Sequence, residues 1–302
     1  MEEEKSYLIL KAMKNIGVLI YTYNRVDDAR INLDIIRNVW EKSKHFKNVK
    51  IVHSFNGEKS WYAKKELEND LVVLKNSWHF QGASDLIDAG IKTFQKKYTN
   101  IDYVIVLASD AWLIKPEYVK NLISRMKNDE LYLATCSWGL PDRDNVADVG
   151  VAVDLFIIDL KWATKNKLFP IAYGKFQKKY KDLFAYQKAD NIMLEKLFLA
   201  RYLEAISRSE KIDGIARKIA IEKTLLLKDR EPVHSSIDKK GNWVRKMYWP
   251  KMGLLTHHEP EPKRNILKKK KISNGKNVEL LLKSKDLSYF NNGISKMKHN
   301  CN

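Results

Sequence analysis

The chain has 302 residues, 44% hydrophobic and 11% aromatic, which excludes wholesale disorder and suits one large domain with an appended segment. Two cysteines, Cys136 and Cys301, exclude a disulfide framework and a four-cysteine zinc site. Two-thirds of the net charge of +18 lies in residues 239–302, where 16 Lys and Arg accompany 4 Asp and Glu. Such a segment attracts nucleic acid or an anionic membrane surface, although a solvated lysine-rich face has the same composition.

Neither a secretory signal nor a membrane span is expected. Residues 1–5 are acidic where a signal peptide would be basic, and no apolar segment follows. Apolar runs such as 103–108 are far shorter than the roughly 20 residues of a membrane-spanning helix. We therefore expect a cytoplasmic protein, or one that lies peripherally at a membrane. The cytoplasm in question can be that of an infected host cell.

Predicted strands and helices alternate over the first 136 residues. Apolar runs that end at polar or turn residues predict strands at 16–21, 49–55, 71–74, 103–108 and 131–136. Helical spacing of apolar residues, or a proline at a helix start, predicts helices at 26–43, 60–69, 82–97 and 116–126. Such βα units build a doubly wound, mostly parallel α/β sheet flanked by helices. Its ligands bind beyond the carboxyl ends of the strands, here the loops at 22–28, 55–60, 76–84 and 109–115.

The rest of the chain has a different pattern. After a turn-rich stretch, the sequence predicts a strand at 151–159 and a long helix at 187–208. Residues 209–262 mix aromatic residues and histidines. From residue 263 the chain is basic, with one amphipathic helix predicted at 277–290. We expect three segments, 1–208, 209–262 and 263–302.

Short polar segments follow the predicted strands in place of the usual glycine-rich fingerprints. The chain has no GxGxxG, no GxxxxGK[ST] and no GxSxG. It has IleTyrThrTyrAsnArg at 20–25, a Gly-containing helix start at 78–90, LeuAlaSerAspAlaTrp at 107–112 and LysAlaAspAsn at 188–191. In order and spacing, these segments resemble the GT-A fold glycosyltransferases of the large inverting family that uses nucleotide-sugar donors. The resemblance covers roughly residues 15–200.

The first motif implies a nucleotide pocket formed by Thr22, Tyr23, Asn24 and Arg25. Tyr23 can stack on a base, while Thr22 and Arg25 can reach its polar edges or a phosphate. The same residues would also suit a strand end that leads into a capped helix.

Later motifs extend this pocket. The family usually has a carboxylate near the end of the second strand, but this chain offers Asn56, whose amide can pair with a pyrimidine. Gly82 lets backbone approach the donor closely, and Asp85 can contact ribose or sugar. A simple turn and helix cap is the alternative for both.

The DxD segment of the family, which holds a divalent cation against the diphosphate, is represented by a single carboxylate, Asp110. The position of the second Asp is Ala108 or Trp112. Mn²⁺ or Mg²⁺ prefers oxygen ligands, and a late histidine, His257 or His258, can supply a further ligand. The alternatives are a loop-capping Asp110 and structural histidines, and His234 is a weaker candidate.

The resemblance implies that Asp190 is the catalytic base, placed at the start of the helix predicted at 187–208. An inverting transfer needs one base to deprotonate the acceptor hydroxyl. The alternative for Asp190 is a helix N-cap. Trp138 and Asp148 are candidates to contact the acceptor.

We therefore expect a GT-A-like glycosyltransferase, hexosyl or pentosyl, that uses a nucleotide sugar, with a UDP-sugar as the expected donor. Residues 1–208 would bind the donor and catalyse, 209–262 would close the acceptor side, and 263–302 would form a basic extension. Aromatic and basic residues alternate at 243–251, which suits a polyanionic acceptor. That acceptor is a nucleic acid with a modified base or a surface glycan at an anionic membrane. The alternative is a catalytically silent module that binds nucleic acid or membrane through its basic part.

Overall fold

The computed structural model describes residues 15–22, 26–43, 45–61, 70–75, 79–113, 115–136, 145–180, 193–209, 212–228, 231–237, 243–249 and 254–258. Its helices and strands are β1 (Asn15–Thr22), α1 (Val26–Ile35), β2 (Asn48–Asn56), β3 (Asp70–Leu74), α2 (His79–Lys97), β4 (Tyr103–Ala108), β5 (Ala111–Leu113), α3 (Pro116–Asn128), β6 (Leu133–Cys136), α4 (Val146–Val149), β7 (Leu155–Asp159), α5 (Leu160–Lys165), α6 (Tyr173–Phe176), α7 (Leu194–Ser207), α8 (Gly214–Glu222), β8 (Thr224–Leu227), β9 (Glu231–Ile237), β10 (Trp243–Trp249) and β11 (Leu254–His258). A π-helical turn, Ile36–Trp40, continues α1, and a 3₁₀ turn covers Lys59–Trp61.

The main sheet of the described residues has seven strands in the order β3-β2-β1-β4-β7-β6-β8. β1, β2, β3 and β4 are mutually parallel, and β6 is parallel to β8. β7 runs antiparallel to both of its neighbours, β4 and β6. This arrangement confirms the predicted α/β class with a mostly parallel sheet flanked by helices.

Burial explains why the central strands form where the apolar runs predicted them. Residues 104–107 of β4 and residues 18–20 of β1 are fully buried, as expected for strands covered on both faces. Helix α2 packs on β1, and its apolar face is buried at the predicted helical spacing, at Leu86, Ile87, Ile91 and Phe94. Gly90 permits this approach, because a Cβ there would lie 2.2 Å from Leu19 Cδ1.

Several predicted boundaries are wrong. Helix α2 begins three residues before Gly82, and α1 gives way to a π-helical turn instead of continuing to residue 43. The strand predicted at 151–159 begins at Leu155. The helix predicted at 187–208 begins at Leu194, because Met193 is extended (φ −64°, ψ 145°). Of the helix predicted at 60–69, the described residues show only the end of a 3₁₀ turn.

A second, four-stranded sheet has the order β5-β11-β10-β9 and is antiparallel throughout. It joins residues of the predicted 209–262 segment to β5, which directly follows β4. In addition, β8 of that segment completes the edge of the main sheet. In the part of the chain that the structure describes, no helix is long and apolar enough to span a bilayer.

Candidate functional site

The site lies where the parallel strands end. The register pairs Tyr21 with Ala108 and Thr22 with Phe55, so β1, β2 and β4 end side by side. The antiparallel β7 begins at the same edge, because Leu155 pairs with Leu107. Residues just after β1, β2 and β4, and just before β7, therefore meet at one edge of the sheet.

Asp110 follows β4 at this edge on a loop whose backbone is held on several sides. Ser109 N donates to Tyr21 O at 3.0 Å, and Ala108 N donates to Asp154 O at 2.9 Å. The fully buried Asn32 donates through Nδ2 to Ala108 O at 3.2 Å and to Ala111 O at 2.8 Å. Asp110 itself is partly exposed. The loop thus presents one carboxylate from a fixed backbone.

Two buried tryptophans fix the chain beyond Asp110. Trp112 Nε1 donates to Ser109 O at 3.2 Å and to Asp28 O at 3.3 Å. Trp40 Nε1 donates to Leu113 O at 2.9 Å. Trp112, which the sequence offered as a possible position of the second DxD carboxylate, is therefore a packing residue that bonds back to its own loop.

Three carboxylates act electrostatically on Tyr21. Burial raises the pKa of the Tyr21 phenol well above its ordinary value, and Asp154, Asp110 and Glu195 raise it further. The Tyr21 hydroxyl donates to Val153 O at 3.3 Å, next to Asp154. The sequence analysis did not select Asp154, because the strand predicted at 151–159 placed it inside the sheet. Its position directly before an antiparallel strand brings it to the ligand edge.

Glu195 reaches the site because the first turn of α7 packs against the loop before β7. Val151 N donates to Glu195 O at 3.2 Å. Gly150 adopts φ +82°, and a Cβ there would lie 2.9 Å from Glu195 O, so this contact requires glycine. The sequence analysis missed Glu195; an acidic residue in the first turn of a long apolar helix was the available signal.

Other predicted donor residues take defined positions. Thr22 is buried at the end of β1, and its Oγ1 lies 2.9 Å from His53 Nε2. Asn56 ends β2 at the site edge and is partly buried. Gly82 is buried inside the first turns of α2, and Asp85 accepts a hydrogen bond from Gln81 Nε2 at 2.7 Å. All four lie in or next to the elements that border the site edge.

Several predicted site residues lie outside the described residues: Tyr23, Asn24, Arg25, Trp138, Asp190 and the whole of 263–302. Met193 occupies the N-cap position of α7, so Asp190 lies three residues before it and is not the N-cap. Asp148 lies in α4 and His234 lies in β9. These roles stay predictions.

The predicted histidine pair ends β11, which pairs with β5. Thr256 is the partner of Ala111 in the antiparallel register. His257 and His258 directly follow this last pair of the ladder, and Asp110 directly precedes it. The role of the histidines as metal ligands stays a prediction.

The described residues contain no group of three His, Cys, Asp or Glu side chains that could hold a metal ion by themselves. They do offer Asp110, with Asp154 and Glu195 within electrostatic range of the same phenol. Carboxylate oxygens suit Mn²⁺ or Mg²⁺, and Mg²⁺ is commonly held by one or two carboxylates together with substrate phosphates and water. The donor set therefore fits a cation that arrives with a diphosphate, and does not fit a closed protein cage.

The sequence matches no family model and no curated protein. The structure is similar to S. aureus TarS, with 12% identity over 63% of this chain and 33% of that chain and a TM-score of 0.42. It is similar to the glycosyltransferase GlyE of Streptococcus pneumoniae TIGR4, with 14% identity over 71% of this chain and 45% of that chain and a TM-score of 0.39. The mannosyltransferase PcManGT from Pyrobaculum calidifontis shows 12% identity over 50% of this chain and 46% of that chain, at a TM-score of 0.36.

The chain has an α/β fold with a mostly parallel sheet flanked by helices. It spans only about a third of the TarS chain and less than half of the other two. TarS 1–349 has been solved with UDP, and PcManGT with GDP-Man and Mn²⁺. At these identities and TM-scores, the likenesses carry no argument about the reaction of this chain.

Proposed function

We propose that this protein is an inverting glycosyltransferase that moves a hexosyl or pentosyl group from a UDP-sugar to an acceptor hydroxyl. The observation that carries the proposal is Asp110, a partly exposed carboxylate on a backbone held by Tyr21, Asn32 and Asp154 at the carboxyl edge of the sheet. Ligands of doubly wound sheets bind at that edge. A fixed carboxylate there suits a donor whose diphosphate is accompanied by a cation.

In the proposed reaction, the acceptor oxygen attacks the anomeric carbon while the bond to the diphosphate breaks. Asp190 accepts the proton of the acceptor hydroxyl, and the nucleoside diphosphate leaves with the bonding electrons. Asp110 would hold the cation, with Asp154 or His257 as the second protein ligand. Mn²⁺ or Mg²⁺, when bound, supplies positive charge that offsets the charge on the leaving diphosphate.

Donor binding can be tested by thermal unfolding of the full-length protein with UDP-, GDP-, CMP- and dTDP-sugars, each with Mn²⁺ and with EDTA. A donor at 100 times its Kd adds about 2.7 kcal/mol of stability. We expect UDP-sugars with Mn²⁺ to raise the midpoint, and Asp110→Asn to abolish the shift. Asp129→Asn is the matched control, because Asp129 is exposed and pairs with Arg125 on α3.

Two results would contradict the proposal. One is a wild-type protein whose midpoint no nucleotide sugar changes. The other is an Asp110→Asn variant that responds to donors as fully as Asp129→Asn does. If the donor-induced shift of the midpoint persists in EDTA but is lost in Asp110→Asn, Asp110 belongs to a donor site that works without a cation.

The proposed acceptor is polyanionic, either a nucleic acid with a modified base or a glycan at an anionic membrane surface. The support is the charge of residues 239–302, with 16 basic and 4 acidic side chains. Binding through phosphates weakens steeply as salt rises. We expect acceptor binding to fall between low and moderate ionic strength while donor binding changes little; a flat response would argue against both acceptors.

A further inference from the structure

A basic cavity lies away from the candidate donor site. It has a volume of about 560 Å³ and is lined by Lys165, Asn166, Lys167, Arg201, Glu204, Ala205, Arg208 and Ser209. These residues come from the C-terminal end of α5, from α7 and from the turns that follow both helices.

The cavity is far from Asp110 for two reasons. Helix α7 has Glu195 in its first turn, near the site, and rises about 1.5 Å per residue, so Arg208 lies about 20 Å further along its axis. Helix α5 follows Asp159, which pairs with Tyr103, the first residue of β4. Helix α5 therefore starts beside the first residue of β4, whereas Asp110 follows the last one. Lys165 and Lys167 lie at the end of α5 and just after it.

Cationic side chains dominate the lining. Lys165, Lys167 and Arg208 are exposed and Arg201 is buried, while Glu204 is the one carboxylate among the lining residues. The ends of α5 and α7 contribute about half a negative charge each, which offsets only part of four full cations. The cavity therefore has a positive potential.

The single carboxylate is already engaged. Arg201 forms an ion pair with Glu204, Lys179 Nζ lies 3.5 Å from Glu204 Oε1, and the Tyr180 hydroxyl donates to the same carboxylate. Burial raises the pKa of Glu204, but the Tyr180 hydrogen bond and the two cations hold it below its ordinary value. Glu204 is thus an ionised anchor for Arg201 and does not neutralise the exposed cations.

Arg201 is held in place and retains unused donor capacity. Its side chain is only 9% exposed, its guanidinium lies 4.3 Å over the ring of Phe176, and its Nη2 donates to Lys167 O at 3.2 Å. Among the described residues, Arg201 Nε is buried without a hydrogen-bond partner. A buried donor without a partner is costly, and the guanidinium that carries it forms part of the cavity wall, where it attracts anionic oxygens.

We propose that this cavity is a second anion site that binds phosphate groups. A fixed arginine, surrounded by two lysines and a second arginine, matches the oxygens and charge of an oligophosphate or of successive phosphodiesters. The lining contains no aromatic side chain, so the ligand is held through phosphates and not by base stacking. The site is separate from the proposed donor site and does not depend on it.

The test is calorimetric titration of the full-length protein with inorganic tripolyphosphate and with a short single-stranded oligonucleotide. Because replacing the buried Arg201 would test folding as well as binding, the test variant combines the exposed changes Lys165→Gln, Lys167→Gln and Arg208→Gln. The matched control, Lys92→Gln with Lys96→Gln and Lys127→Gln, removes the same charge from exposed positions on α2 and α3. Unchanged unfolding midpoints establish that both variants fold.

We expect the cavity variant to bind tripolyphosphate about tenfold more weakly than wild type, and the control to stay within about twofold. The same selective loss with the oligonucleotide would identify a polymer backbone as the source of the phosphates; loss with tripolyphosphate alone would identify a small ligand. Equal weakening in both variants, no weakening in either, or no binding by the wild type overturns the proposal. Donor-induced stabilisation in the cavity variant reports separately on the Asp110 site.

Discussion

Asn32 offers the sharpest test of how the fold builds the candidate site. Its side chain is fully buried and donates to Ala108 O and Ala111 O, on either side of Asp110. In Asn32→Ala, two buried carbonyls lose this donor, at about 1–3 kcal/mol for each group left unsatisfied. Asn32 Oδ1 has no partner among the described residues, so its removal recovers part of that cost. We expect a net loss of about 3 kcal/mol of unfolding free energy.

Urea unfolding of the full-length protein measures this loss, and titration with a UDP-sugar and Mn²⁺ measures the effect on the site. Donor binding should weaken about tenfold, or 1.4 kcal/mol, because Asp110 loses its fixed backbone. Asn38→Ala is the control: Asn38 donates to Asp34 O at 2.9 Å on an exposed surface, and its loss should stay within about 0.5 kcal/mol. An Asn32→Ala protein as stable as this control would refute the role of Asn32 in holding the backbone on either side of Asp110. A destabilised variant with wild-type donor affinity would refute its link to the site.

Two further predictions concern the core. Gly90→Ala places a Cβ 2.2 Å from Leu19 Cδ1 and should lower the free energy of unfolding in urea by about 1–3 kcal/mol. Gly214 has open space around it, so Gly214→Ala should raise the free energy of unfolding by about 0.4–1 kcal/mol. Similar values for the two variants would contradict the packing described. Burial, aided by Arg37, lowers the pKa of His53 to about 3, so below pH 6.5 the unfolded chain takes up a proton that the folded chain does not. Between pH 7 and pH 5, wild type should therefore lose about 2 kcal/mol more than His53→Gln. Burial raises the pKa of Asp88 to about 6, so its contribution to stability has the opposite pH dependence; this contribution is the same in both proteins and cancels in the difference. Parallel stability–pH profiles of wild type and His53→Gln would disprove the lowered pKa of His53.

Local pattern was enough to predict most of the main sheet. The continuous apolar runs around Val18 and Val104 and the helical spacing from Leu86 to Phe94 reflect burial, and burial determined where these elements form. Helix ends were less predictable, because the N-cap position of α7 is taken by Met193, whose side chain makes no capping hydrogen bond and gives no signal in the sequence.

The site could be predicted only in part, because it depends on strand direction and distant pairing. The strand predicted at 151–159 includes Asp154, whereas the strand begins at Leu155 and its antiparallel direction, which an apolar run does not encode, brings Asp154 to the ligand edge. Likewise, the three residues of β5 are too short to be recognised as a strand and are defined by their pairing with β11. Asp110 was selected because residues 107–112 resemble the DxD segment of the family, and the strand that this segment follows, β4, is recognisable from its apolar run.

The pairing of β5 with β11 has a consequence for synthesis of the protein. The two strands lie about 140 residues apart, so at about 5–20 residues per second β11 leaves the ribosome roughly 7–28 s after β5. During that interval the nascent chain carries Asp110 on a loop whose outer strand has no partner. The active surface would therefore mature last, after the parallel core has had time to form.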